Sequence, residues 1–74
     1  MSDILHQSLL QAATKFNEMD ESQASIHEER FVLFYLAQLP LSYWLDYAVM
    51  RPSAVAIMKL HSSQFAQMEV PQYV

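Results

Sequence analysis

The chain contains no glycine and no cysteine, and only four of its 74 residues are lysine or arginine. Each shortage excludes something. Average usage would supply roughly five glycines in a chain of this length. Glycine is the residue of positive-φ turns, bulges and phosphate-cradling loops. Its absence therefore argues against hairpin-rich β folds and against every glycine-dependent nucleotide motif, and leaves helices joined by short loops. Without cysteine there are no disulfides, no thiol catalysis and no cysteine metal sites. The amino-terminal stretch MSDILHQSLL has an acid where a signal peptide has cations, and it lacks a small-residue cleavage site. The default expectation is a cytoplasmic protein.

The net charge of −4 is unevenly spread. Residues 1–46 carry Lys15 and Arg30 against seven acids, and residues 47–68 carry no acid at all. The acidic half should repel nucleic acid. Against these shortages stands an excess: 53% of the residues are apolar or aromatic. A chain this small buries only about 60% of its unfolded surface. Some apolar surface should therefore be covered by another chain, by a second copy or by lipid.

Periodicity predicts four helices, over roughly 3–19, 26–39, 41–50 and 54–68, with an extended C-terminal tail, EVPQYV. In the first, Leu5, Leu9, Ala12, Phe16 and Met19 recur at helical spacing, while Gln7, Gln11, Lys15 and Glu18 fall on the other side. Ser2 or Asp3 can cap it. The polar run NEMDESQAS, residues 17–25, reads as a loop. Ser25 and Glu28 then match a capping box before an apolar run, with Glu28 and Glu29 at the positive end of the helix dipole. Pro40 ends that helix, Arg51-Pro52 ends the third, and Ser53 can cap the fourth. The last helix carries the stripe Ala54, Ile57/Met58, His61, Phe65 and Met68. The expected fold is all-α, a single small bundle.

Six of the nine aromatics lie in one segment, FVLFYLAQLPLSYWLDY, residues 31–47. The window 31–50 is long enough to span a bilayer. However, Gln38 and Asp46 are costly in lipid, and Pro40 frees backbone groups near its middle. Gln38, Ser42 and Asp46 also recur every four residues, as a water-facing edge would. The segment reads as both the centre of the fold and a seam to another chain. Aromatic residues are enriched at such seams, so the expected partner interface is Phe31, Phe34, Tyr35, Tyr43, Trp44 and Tyr47.

Chemistry is sparsely signalled. HEERF, residues 27–31, resembles half of a zinc-protease helix motif, but position 31 is Phe where a second histidine ligand is needed. Glu18, Asp20 and Glu21 lack the glycine and the terminal Glu of a calcium loop. His61 interrupts an apolar stripe, but Ser62 and Ser63 beside it do not face it on a helix. His6 and His27 stand far from it in sequence. No catalytic set, metal or cofactor is expected. One competing layout remains. Residues 41–68 run helix, Arg-Pro turn, helix, like a helix-turn-helix. Arg51, Ser53, Lys59 and His61 would then meet nucleic acid. So few cations make that the weaker reading. The expected function is a small non-enzymatic interaction or regulatory protein, homodimeric, acting on a larger protein; the alternatives are the helix-turn-helix regulator and, after it, a small membrane-associated protein.

Overall fold

The computed structural model describes residues 4–68, and they form an all-α bundle. The helices are α1 (Ile4–Glu18), α2 (Glu21–Phe34), α3 (Leu41–Met50), α4 (Val55–His61) and α5 (Ser63–Ala66), with 3₁₀ turns at Leu36–Gln38 and Pro52–Ala54. The expected caps at Ser2 and Asp3 and the expected extended tail lie outside the described residues. Among the described residues, no helix is long and apolar enough to cross a membrane.

α1 follows its apolar stripe, rotated by a fraction of a turn. Leu9, Ala13 and Phe16 are buried, whereas Leu5 is half exposed. The connection to α2 is much shorter than the polar run 17–25 suggests. Only Met19 and Asp20 lie between the two helices. Met19 N–H closes the last turn of α1 on the Phe16 carbonyl, 3.2 Å. Asp20 has extended backbone angles, and its carbonyl already accepts from Ala24 N–H at 2.8 Å, so α2 starts there. The capping box expected at Ser25 and Glu28 is therefore not a helix start, because both residues lie inside α2. The polar run was misleading for a physical reason. Glu21, Ser22, Gln23 and Ser25 are exposed, and polar residues on the solvent face of a helix look like loop residues in sequence.

α2 ends earlier than Pro40 requires. After Phe34 the chain tightens into 3₁₀ geometry, with Leu39 N–H donating to the Leu36 carbonyl at 2.9 Å. Leu39 is extended, the conformation favoured before proline. Pro40 then opens α3, its carbonyl accepting from Tyr43 N–H at 2.9 Å. The α3 boundaries match those read from the sequence.

The expected single helix 54–68 is three pieces. Ser53 makes no side-chain cap. Pro52–Ala54 is a 3₁₀ turn that feeds α4. Ser62 then breaks the helix with φ −145° and ψ 111°, and its hydroxyl accepts from Phe65 N–H at 3.1 Å. Serine competes with the helical ladder in this way because its short side chain can bond nearby backbone. The bend carries Phe65 back to the bundle, where its ring lies 5.8 Å from that of Trp44.

The core joins all of these elements. Leu9, Ala13, Val32, Leu36, Trp44, Tyr47, Ala48, Ala54, Met58 and Phe65 are buried and contiguous. An aromatic series runs through it. The ring of Phe31 lies 5.7 Å from Phe16, 5.0 Å from Tyr35 and 5.6 Å from Tyr47. Such offset and edge contacts add about 0.5–1.5 kcal/mol per pair beyond burial.

Trp44 is buried against Phe65 and so belongs to the fold itself. Trp44→Ala should cost about 3–5 kcal/mol through lost contact and the cavity left behind. That is much of the stability of a small domain. Urea unfolding followed by circular dichroism measures it, and a variant as stable as the native chain would remove Trp44 from the core.

Candidate functional site

Two features stand apart from ordinary core packing: a buried ionic network, and an apolar strip on the outside of α2.

The network is centred on Glu28. Its inward position is set by the α2 register, in which Ala24, Glu28 and Val32 form one buried column. The carboxylate is 1% exposed and the Arg51 guanidinium opposite it 3%. Arg51 grips it with two nitrogens, Nη2 to Oε1 at 2.6 Å and Nε to Oε2 at 3.0 Å. The Tyr47 hydroxyl donates to the same Oε2. The rest of the guanidinium reaches the Asn17 Oδ1 at 3.1 Å and the Glu21 carboxylate at 3.4 Å. Asn17 in turn donates to the Met50 carbonyl at 3.1 Å, at the end of α3. The Arg51 side chain thus ties the end of α3 to α1 and α2. Among the described residues, no buried side-chain nitrogen or oxygen is left without a partner.

The electrostatics follow from the geometry. Burial and the adjoining carboxylate push the Tyr47 hydroxyl far above the ordinary tyrosine range. The hydrogen bond to Glu28 holds Arg51 still more firmly protonated than a free arginine, against the opposing effect of burial. Tyr47 is thereby held protonated and Arg51 charged, both engaged with Glu28. That suits a structural clamp.

Arg51 is therefore the main correction to the expected nucleic-acid set. It faces the protein interior, because it is the counter-ion of a buried carboxylate, and cannot reach a phosphate. Ser53 and Lys59 are exposed and His61 is half-buried, on an α4 of seven residues. The expected partner set changes too. Trp44 and Tyr47 are buried in this chain's own core, and Phe31, Tyr35 and Tyr43 are half-buried. Tyr35 donates from its hydroxyl to the Leu5 carbonyl at 3.3 Å. Phe31 and Tyr35 are drawn inward by α1, through Phe16 and the Leu5 carbonyl, and Trp44 by Phe65 of α5. Only Phe34 stands open, 65% exposed.

Phe34 is not alone. Ile26 and Leu33 share its face of α2, 61% and 44% exposed, with Glu29 and Arg30 exposed among them. These five residues line one shallow groove. Their spacing was visible in the sequence as i, i+3, i+4, i+7 and i+8. It was masked because positions 31–37 are apolar on every side, so that no single outward face stands out. Ile4, Leu5, Val49 and Leu60 are also exposed, on α1, α3 and α4.

Of the remaining candidates, His6 joins Asp46 across α1 and α3 at 2.7 Å and lies 5.0 Å from the Tyr43 ring. Gln38, Ser42 and Asp46 are all exposed, as the expected water-facing edge requires; from that edge Asp46 reaches His6, and Gln38 donates to the Phe34 carbonyl. Among the described residues, no group of three or more His, Asp or Glu side chains is placed to hold a metal ion. Comparison with protein-family models, curated proteins and solved structures finds no match.

Removing one member of the clamp strands the other as a buried charge, which costs about 3–5 kcal/mol. Glu28→Leu and Arg51→Met should each destabilise on that scale. The double variant should lose far less than the sum, because no uncompensated charge remains. A denaturant-based double-mutant cycle reads this, and simple additivity would show that the two residues are not coupled.

Tyr47 gives a pH test. Its folded-state pKa lies above the unfolded value of 10.0, so above that pH the unfolded chain releases a proton that the folded chain retains. Its contribution to stability is full below pH 10 and is lost as pH rises, by about 1.4 kcal/mol per pH unit. Tyr47→Phe should be about 1–3 kcal/mol less stable at neutral pH, through the lost hydrogen bond to a charged group. The gap to the native chain should close above pH 10. Parallel stability curves for the two chains would show that Tyr47 titrates alike in both states.

Proposed function

We propose that this chain is a small non-enzymatic interaction protein, acting by placing the outer face of α2 against another protein chain. The observation that carries the reading is the strip Ile26, Leu33 and Phe34, three large apolar side chains left in water on one helix face. An amphipathic helix normally turns such a face inward. Here the same helix has spent its inward face on Ala24, Glu28 and Val32. Exposed apolar strips rimmed by charge are typical of surfaces that meet partners. The clamp supports the same reading, since it commits the most strongly perturbed ionisable groups to holding helices together.

The regulatory role, the larger target and the cytoplasmic setting belong to this proposal. Helix-in-groove recognition uses anchors at the spacing that α2 offers. Regulation would then consist of occupying a target's surface.

The strip is separable from the fold, because its side chains are already exposed. Tagged native chain and the variant Leu33→Ser/Phe34→Ser should show the same helical circular dichroism. In affinity capture from the native host, the native chain should retain a defined protein that the variant loses. Equal retention by both chains would overturn this use of α2.

A further inference from the structure

We infer that the outer face of α2 pairs with the same face of a second copy of this chain, antiparallel, about a two-fold axis passing between Glu29 and Arg30. The inference rests on the binding role proposed above and assigns its first occupant.

Glu29 and Arg30 are adjacent, exposed, and without an ion-pair partner among the described residues. Ile26 lies three positions before Glu29, and Leu33 lies three positions after Arg30. The pattern is apolar, acid, base, apolar, symmetric about its middle in size and antisymmetric in charge.

A two-fold contact is isologous: where residue i meets j, j meets i. With the axis between Glu29 and Arg30 and the helices antiparallel, Glu29 of each copy faces Arg30 of the other. Ile26 of each then packs beside Leu33 and Phe34 of the other. One register satisfies both charges and covers all three exposed apolar side chains. A parallel pairing about an axis along the helices would bring Glu29 near Glu29 and Arg30 near Arg30. Charge thus selects the antiparallel arrangement. Few registers of an arbitrary helix face have this property, since charges and apolar residues must both be mirrored about a single point.

One helix face offers less area than a standard stable interface, about 800 Å² per partner. The pairing should therefore be weak and reversible, with dissociation in the micromolar range. Screening should weaken it further as salt rises. A reversible self-pairing would also keep the strip covered until a target with a better groove displaces the second copy.

The test uses charge reversal at the axis. Both positions are exposed, so Glu29→Arg and Arg30→Glu should leave helical circular dichroism unchanged. Each change converts two attractive contacts across the axis into two repulsive ones, because the axis repeats it. Each single variant should self-associate about tenfold more weakly than the native chain. Mixed in equal amounts, the two single variants should recover a mixed dimer, since each now carries the charges that the other lacks. The double variant Glu29→Arg/Arg30→Glu should recover as well. Sedimentation velocity from about 1 to about 300 μM spans the expected range.

A native chain that stays monomeric throughout overturns the inference, and capture with the α2 strip variant then decides the binding role separately. A native dimer indifferent to either reversal overturns the α2 axis while self-association stands. Weakening by both single variants without recovery in the mixture also overturns it, because the charges would then not face each other. Should either reversal perturb the helices, the native dimer alone still tests the inference, for its affinity should fall with added salt. An affinity insensitive to salt would contradict the Glu29–Arg30 pairing.

Discussion

The fold hangs on a carboxylate buried at the centre of the bundle. Glu28 sits on the inward column of α2, between Ala24 and Val32, where a hydrophobic residue would ordinarily be found. A charge there is tolerable only if a counter-charge and enough donors arrive with it. Arg51 supplies two donors and Tyr47 a third. Because Arg51 lies at the end of α3 and α2 begins far earlier in the chain, satisfying this one group sets the relation of the two helices. It also explains the placement of Asn17, which takes the other side of the guanidinium and bonds the end of α3.

Such a clamp contributes specificity more clearly than net stability. Hydrophobic replacement of a buried ion pair is often neutral or stabilising, whereas a misregistered helix would leave the charge stranded. A packing that parted Glu28 from Arg51 would leave a buried charge uncompensated. The aromatic series from Phe16 through Phe31 ends on Tyr47, whose hydroxyl is one of the clamp's donors.

The inward commitment of α2 is also what creates its outward surface. Helix α2 has apolar residues on both sides and a charge within the buried one. Once the register is fixed by Glu28, Ile26, Leu33 and Phe34 have nowhere to go but outward. The same residues would have looked like core in any chain whose second helix was central and wrapped on all sides. Here the other described helices leave its outer face open.

Much of this was legible before the fold was known. The absence of glycine, the helical spacing in α1 and the two internal prolines determine an all-α chain, and Pro40 and Pro52 fix the limits of α3 almost to the residue. These are local effects, set by backbone chemistry at single positions. What the sequence could not disclose were matters of long-range pairing. Glu28 at a helix start and Glu28 in a core look identical in one dimension; the difference is Arg51, 23 positions away. Arg51 beside a proline turn looked like a phosphate ligand for the same reason. Which aromatics of residues 31–47 face inward, and that Ser62 turns Phe65 back onto Trp44, depend on where α1 and α3 lie. Periodicity tells which residues share a helix face, but only the neighbouring elements decide whether that face meets protein or water.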